Sequence, residues 1–180
     1  MPRYAGFLRG VNLGSRRKAS SADLRSCLEG LGFEAVETFR TSGNVVFEAG
    51  REVRAKLTGR VERALAESLG YDVTVFLRTA AEIRAIAAHE PFPASLVAAS
   101  KGKLQVALLP ARPAADVRRQ VLELATDDDR LAFDDRELYW LPSGGTRDSE
   151  LNLRALEEQI GPWTMRTKGT IDLLCTKFFA

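Results

Sequence analysis

The chain has 180 residues, 45% of them apolar, and a net charge of +2. That is enough apolar side chain for a packed core and too little charge to make bulk electrostatics the basis of a nucleic-acid protein. No apolar run approaches the roughly 20 residues that span a bilayer. Met1-Pro2-Arg3-Tyr4 enters a strand-like run without the basic, apolar and cleavage regions of a signal peptide, so the expected location is the cytoplasm, with no membrane partner. The two cysteines include no Cys-x-x-Cys pair and His89 is the one histidine, so a multi-histidine metal site is excluded and no metal is expected.

In chain order, residues 4–8 read as a strand, followed by a glycine-punctuated loop over 10–18. A helix is expected from Ser20, where Ser20 and Asp23 stand at capping-box spacing. Leu24, Cys27, Leu28 and Leu31 form its apolar stripe and Gly32 stops it. Residues 36–41 and 44–48 read as strands joined at Ser42-Gly43, a hairpin signal. Val53, Leu57, Val61, Ala64 and Leu65 mark a second helix closed by Gly70, and 73–77 is an apolar strand. Thr79-x-x-Glu82 opens a connector helix that ends before Pro91-Phe92-Pro93.

The same order then recurs. A strand over 104–109 precedes a helix marked by Val117, Val121 and Leu124. Strands over 130–133 and 137–141 flank Asp134-Asp135. A helix with Leu153, Leu156 and Ile160 ends at Gly161-Pro162, a short strand covers 164–167, and a terminal helix covers 171–178. This predicts an α+β chain of two ferredoxin-like βαββαβ halves packed into one compact unit, with an extra connector helix and a C-terminal helix. The expected organisation is 1–78 for the first half, 79–101 for the helical connector, and 102–180 for the second half with its terminal helix. Cys27 and Cys175 sit at helical spacing among apolar residues and read as small core side chains.

In a βαββαβ sheet the first and third strands are antiparallel neighbours, so the loop from Arg9 to Lys18 meets the turn from Thr41 to Asn44. That edge collects Arg9, Asn12, Arg16, Arg17, Lys18, Thr41, Ser42 and Asn44, with Gly10, Gly14 and Gly43 between them. The N-terminus of the following helix opens there too. Cations, exposed amides and a helix N-terminus together describe an anion site. The same residues also suit ordinary turns, since glycine and asparagine accept positive φ and Arg9 can cap carbonyls. The spacing matches neither a Walker A loop nor a dinucleotide fingerprint.

Elsewhere, Asp127-Asp128-Asp129 with Asp134-Asp135 could suggest magnesium, but they fall in a helix-to-strand loop and a hairpin tip and read as solvated. His89-Glu90 could form an acid–base pair, or His89 could cap its helix. No nucleophile elbow is present. Tyr4, Phe7 and Phe47 lie on strands that stack bases in RNA-recognition folds, but the accompanying third-strand pattern is missing and core packing accounts for them.

Phe7-Leu8-Arg9-Gly10-Val11-Asn12-Leu13-Gly14 resembles a signature of domain-of-unknown-function family 1697. Ala22-Asp23-Leu24-Arg25 with Leu28 to Phe33, and Thr38-Phe39-Arg40-Thr41-Ser42-Gly43-Asn44-Val45-Val46-Phe47, are similar to its first helix and hairpin. Pro91-Phe92 is similar to its mid-chain segment, and Thr164-x-Arg166 with Thr170 to its closing motif. Thr167, Lys168 and Gly169 depart from that motif, where the family has asparagine after the arginine. The resemblance implies a small bacterial α+β protein. It carries Arg9, Asn12, Ser42, Asn44, Arg166 and Thr170 over by position, and brings no established activity or cofactor.

The expected function is binding of an anionic, phosphorylated or nucleotide-like ligand. Arg9, Gly10, Asn12, Ser42, Gly43 and Asn44 would form the site, with Arg166 and Thr170 joined to it by the resemblance. Two alternatives are an enzyme acting on such a ligand and a nucleic-acid or protein interaction module. The cofactor and the oligomeric state are left open by the sequence.

Overall fold

The computed structural model describes residues 1–41 and 43–180. They form two compact units, one of Met1–Ala85 with Leu174–Ala180 and the other of Ile86–Leu173. Among the described residues no helix is long and apolar enough to cross a membrane.

The first unit runs β1 (Arg3–Arg9), α1 (Ser21–Gly30), β2 (Glu34–Thr38), β3 (Asn44–Glu48), α2 (Arg54–Leu69) and β4 (Thr74–Thr79), and α3 (Ala80–Ala88) follows directly. The sheet order is β2-β3-β1-β4, and β1 lies antiparallel to both β3 and β4. Ser20 caps α1 through a reciprocal box with Asp23, which satisfies two of the free amides at the helix start. Gly70, at φ +79°, closes α2. Leu57, Val61 and Leu65 of α2 and Leu24 and Leu28 of α1 are buried with Leu8, Val45, Phe47, Val75 and Leu77 of the sheet. Their spacings, four residues on the helices and two on the strands, bring one face of each element to this core. Phe33 stacks on Phe47 at 4.7 Å between ring centroids.

The second unit contains α4 (Ala94–Ala99), β5 (Gln105–Leu108), α5 (Ala115–Leu122), β6 (Asp129–Asp134), β7 (Glu137–Pro142), α6 (Leu153–Ile160) and β8 (Thr164–Thr167), followed by α7 (Lys168–Phe178). Its sheet order, β6-β7-β5-β8, repeats that of the first unit. Ala107, Leu109, Leu138 and Trp140 meet Val121, Leu156 and Trp163 in its core. The fold is therefore α+β, built from two ferredoxin-like units.

The repetition extends to single hydrogen bonds. Ala5 pairs with Val46 and Arg78, as Val106 pairs with Tyr139 and Arg166. One residue beyond each ladder, Leu8 N donates to Gly43 O at 2.8 Å and Leu109 N to Arg136 O at 2.9 Å. The Arg78 and Arg166 guanidinium groups each turn back on the carbonyl of the preceding residue, Leu77 at 2.9 Å and Met165 at 2.8 Å. Each arginine is followed by a threonine whose hydroxyl caps the next helix, Thr79 on Glu82 N and Thr167 on Thr170 N. The two halves share a scaffold although their sequences differ at most of these positions.

Several boundaries differ from the sequence reading. β2 stops at Thr38 instead of reaching Thr41, because Arg40 takes φ +59°. Upstream, Ala35 at φ +48° accompanies a register shift between Glu34 and Glu37. α4 is an added short helix, with Pro93 at its N-cap position.

Gly43 carries φ +72°, and a Cβ there would stand 2.5 Å from Val11 Cγ2 and 3.1 Å from Leu8 Cβ. Gly32 has a similar φ of +78° with nothing near it. Gly43→Ala is expected to destabilise the protein by about 3 kcal/mol, strain and overpacking combined, against about 1 kcal/mol for Gly32→Ala. Urea unfolding of the two variants checks the difference.

Candidate functional site

The end of β1 gathers more of the chain than the two segments expected there. Arg9 is its last residue and pairs with Thr74, the first residue of β4. The α2–β4 connection, with Tyr71 and Asp72, therefore reaches the same edge as the loop over 10–20 and the turn over 39–43. This follows from β4 running antiparallel to β1, which brings the start of β4 beside the end of β1.

Asn12 braces the edge. At φ +57° it donates Nδ2 to Thr41 O at 2.8 Å and accepts from Ala19 N on Oδ1 at 3.1 Å. One exposed amide side chain thus ties the loop to the β2–β3 turn and closes the loop on itself. Asn44 is buried, and its Nδ2 donates to Phe39 O at 2.9 Å while Phe39 N donates to Asn44 O at 2.9 Å. Both asparagines give these side-chain bonds to backbone. Gly43 lets the turn lie against Leu8 and Val11, and Gly10 (φ +87°) leaves room for Arg17, whose Nη1 would stand 3.1 Å from a Cβ at that position. Arg9 is half-buried. Ser42 lies outside the described residues.

Within the loop, Leu13 bridges to Arg17 as an isolated antiparallel pair. Leu13, Arg16, Arg17 and Lys18 are exposed. The Arg17 guanidinium lies 5.5 Å from the centre of the Tyr71 ring, within the range of a cation–π contact. Burial pushes the Tyr71 phenol up, the Arg17 charge pulls it back, and Asp23 adds to the upward push. The Asp23 carboxyl is held below its ordinary value by the side chain and backbone of Ser20. A carboxylate of the chain itself therefore occupies the start of α1, so the positive character of this edge comes from the side chains of the loop more than from the helix terminus.

Arg166 and Thr170 belong to the second unit. Arg166 Nη1 donates to Thr164 Oγ1 at 2.9 Å and to Met165 O, and desolvation lowers its guanidinium to about 10, which leaves it charged at neutral pH. The Thr170 amide and hydroxyl engage Thr167 Oγ1 at the start of α7. Where the sequence departs from the closing motif, Lys168 reaches Asp172 Oδ1 at 2.6 Å and Ala87 O at 2.7 Å. These are the contacts of a strand-to-helix junction.

The acidic cluster is not wholly a solvated loop. Asp129 is buried, and its Oδ1 accepts from Trp140 Nε1 and Ser149 Oγ, each at 2.7 Å. It lines a groove of about 790 Å³ with Asp128, Asp148 and Glu150. Among the described residues no three His, Cys, Asp or Glu side chains converge as metal ligands. His89 lies 4.9 Å from the Tyr139 ring centre and 3.8 Å from Asp134 Oδ2. Burial raises the Cys27 thiol, consistent with an inert core side chain.

These features define a duplicated ferredoxin-like protein in which one half carries a long, braced, basic loop. The chain belongs to the family described as protein of unknown function DUF1697, whose pattern matches residues 1–139. The closing segment with Arg166 and Thr170 lies beyond that match. Among solved structures, the chain is similar to the conserved bacterial protein SP0830 from Streptococcus pneumoniae, with a TM-score of 0.78 and 23% identity over 100% of this chain and 99% of that one. At that identity the likeness carries the fold alone. No curated sequence matches the chain.

Asn12→Ala removes two bonds that join three stretches of backbone, and is expected to cost about 2 kcal/mol. Denaturant unfolding measures this, and faster amide exchange at Ala19 would localise it. The Asp23 cap has its own pH signature. Because the folded-state pKa is depressed below 3.8, the stabilisation is present above that pH and is lost as pH falls through the folded value. Asp23→Asn is expected to flatten this acid limb of the stability–pH curve.

Proposed function

We propose that the first unit binds an anionic ligand of the phosphorylated or nucleotide-like class where the loop from Arg9 to Lys18 meets the turn from Thr41 to Asn44. The observation that carries this reading is the comparison of the two halves. β5 connects to α5 through 109–114, whereas the equivalent connection from β1 to α1 occupies 10–20. A shorter connection completes the same scaffold, so the fold does not require the longer loop. Asn12 nonetheless holds that loop in one conformation, and it displays Arg16, Arg17 and Lys18 to solvent.

The division of labour follows from the bonds. Asn12 and Asn44 set the frame, Gly43 lets the turn pack on Leu8 and Val11, and Gly10 leaves room for Arg17. Arg9 with the Arg16–Lys18 run supplies charge, and an arginine fork suits a phosphate through paired N–H groups. A pre-set loop loses little conformational freedom on binding.

A thermal-shift series with nucleotides and phosphorylated metabolites tests the reading. A ligand at 100 times its dissociation constant is expected to add about 2.7 kcal/mol to stability. Arg9→Ala is expected to remove that gain while the unliganded variant still unfolds cooperatively. A gain that survives in the folded variant would refute the role given to Arg9.

A further inference from the structure

The basic loop is continuous with a second cationic patch in the same unit. Asn12 holds the loop to the Thr41 carbonyl, and Arg40 is the next residue upstream. The Arg40 guanidinium lies 5.5 Å from the centre of the Phe39 ring. Lys177 Nζ lies 5.9 Å from the same ring centre and 4.9 Å from that of Phe178. The two rings meet edge to face at 5.9 Å. Both are half-buried, and Arg40 and Lys177 are exposed.

The cations of this surface stand outside ion pairs, although Asp23 and Asp72 lie at the same edge. Arg3, Arg25, Arg54 and Arg60 of the same unit each sit within ion-pair distance of a carboxylate. Among the described residues, Arg16, Arg17, Lys18, Arg40 and Lys177 have no such partner. A left-handed φ of +59° at Arg40 fixes this unpaired cation next to the turn, in a conformation that a residue with a side chain adopts at some cost.

We infer that the ligand of this edge is a phosphate chain longer than one group, a single-stranded nucleic acid whose backbone runs from the Arg16–Lys18 loop past Thr41 to Arg40 and Lys177. The inference rests on the anion-binding reading of the loop and extends it. Cations in series with partly exposed aromatic rings match alternating phosphates and bases, the arrangement of sequence-tolerant single-strand binding. A lipid surface would call for a broader apolar face than Leu13 provides. A single phosphate would leave Arg40 and Lys177 without a role.

The test measures fluorescence anisotropy of a labelled oligothymidylate of about a dozen nucleotides across a salt series, competed by thymidine monophosphate or tripolyphosphate. Arg40→Gln with Lys177→Gln removes the charges and keeps most of each side-chain stem. Two lost phosphate contacts are expected to lower the salt slope by roughly 1.4 and the affinity roughly 25-fold at about 0.1 M salt. Gln substitutions at Arg16, Arg17 and Lys18 together are expected to weaken binding further, with unfolding curves unchanged in both variants. An unchanged slope in the Arg40/Lys177 variant, with binding lost in the loop variant, would overturn the extended track and leave the loop site standing. Binding that survives in the loop variant would overturn the loop site itself. Equal competition by the monophosphate would overturn the chain-length claim. Equal competition by tripolyphosphate at matched phosphate concentration would assign the surface to phosphate chains in general and overturn the nucleic-acid assignment.

Discussion

The loop-bearing edge depends on the lack of a side chain at position 43. The Gly43 carbonyl takes a hydrogen bond from Leu8 N, carrying the β1–β3 ladder one step past the end of the paired strands. That contact draws the turn against Leu8 and Val11 so closely that a methyl group has no room. Once the turn is seated, the Thr41 carbonyl lies within reach of Asn12, and Asn12 closes the loop by taking the Ala19 amide. Backbone contact comes first, side-chain bracing second, and the display of cations last. A change at Gly43 would act on all three, whereas a change at Arg16 would act only on the last.

The second unit serves as an internal control. It reproduces the ladder registers, the bond beyond the ladder and the arginine–threonine junction, yet it has Arg136 where the first has Gly43. Arg136 is buried, and its Nη1 reaches Pro110 O at 3.4 Å. The equivalent turn therefore carries a side chain that packs against the short connection. Shared features belong to the scaffold. The loop, Gly43 and Asn12 distinguish the first half, and a functional reading is better placed on those differences.

Much of the fold was legible because its signals are local and repeated. Ser20 and Asp23 mark a helix start, Gly70 and Gly161 mark helix ends, and the apolar spacing changes from four to two where helices give way to strands. Convergence of the Arg9 loop with the Gly43 turn followed from βαββαβ order alone. The use of Asn12 and Asn44 did not, since an asparagine in a glycine-rich turn reads the same whether its amide meets a ligand or a backbone carbonyl. Phe39 and Arg40 read as strand residues because nothing in the sequence announces a positive φ at an arginine. Lys177 and Phe178 come from the far end of the chain, and only tertiary structure brings them to Phe39. Asp129 reads as one of a solvated run because its partners, Trp140 on β7 and Ser149 in the connection that follows, are distant in sequence.

The two arginines that fold back on their own strands have a consequence for the polar backbone at the sheet borders. β4 and β8 each form one border of their sheet, and the hydrogen-bond direction set by Leu8 and Leu109 leaves Leu77 O and Met165 O facing away from the neighbouring strand. A carbonyl buried at a sheet border costs free energy unless a donor reaches it. Arg78 and Arg166 occupy those acceptors with a guanidinium, and a helix begins two residues after each, cutting the border short. A chain built by repeating one sheet has twice as many such carbonyls to satisfy, and both copies do so with an arginine of the same strand.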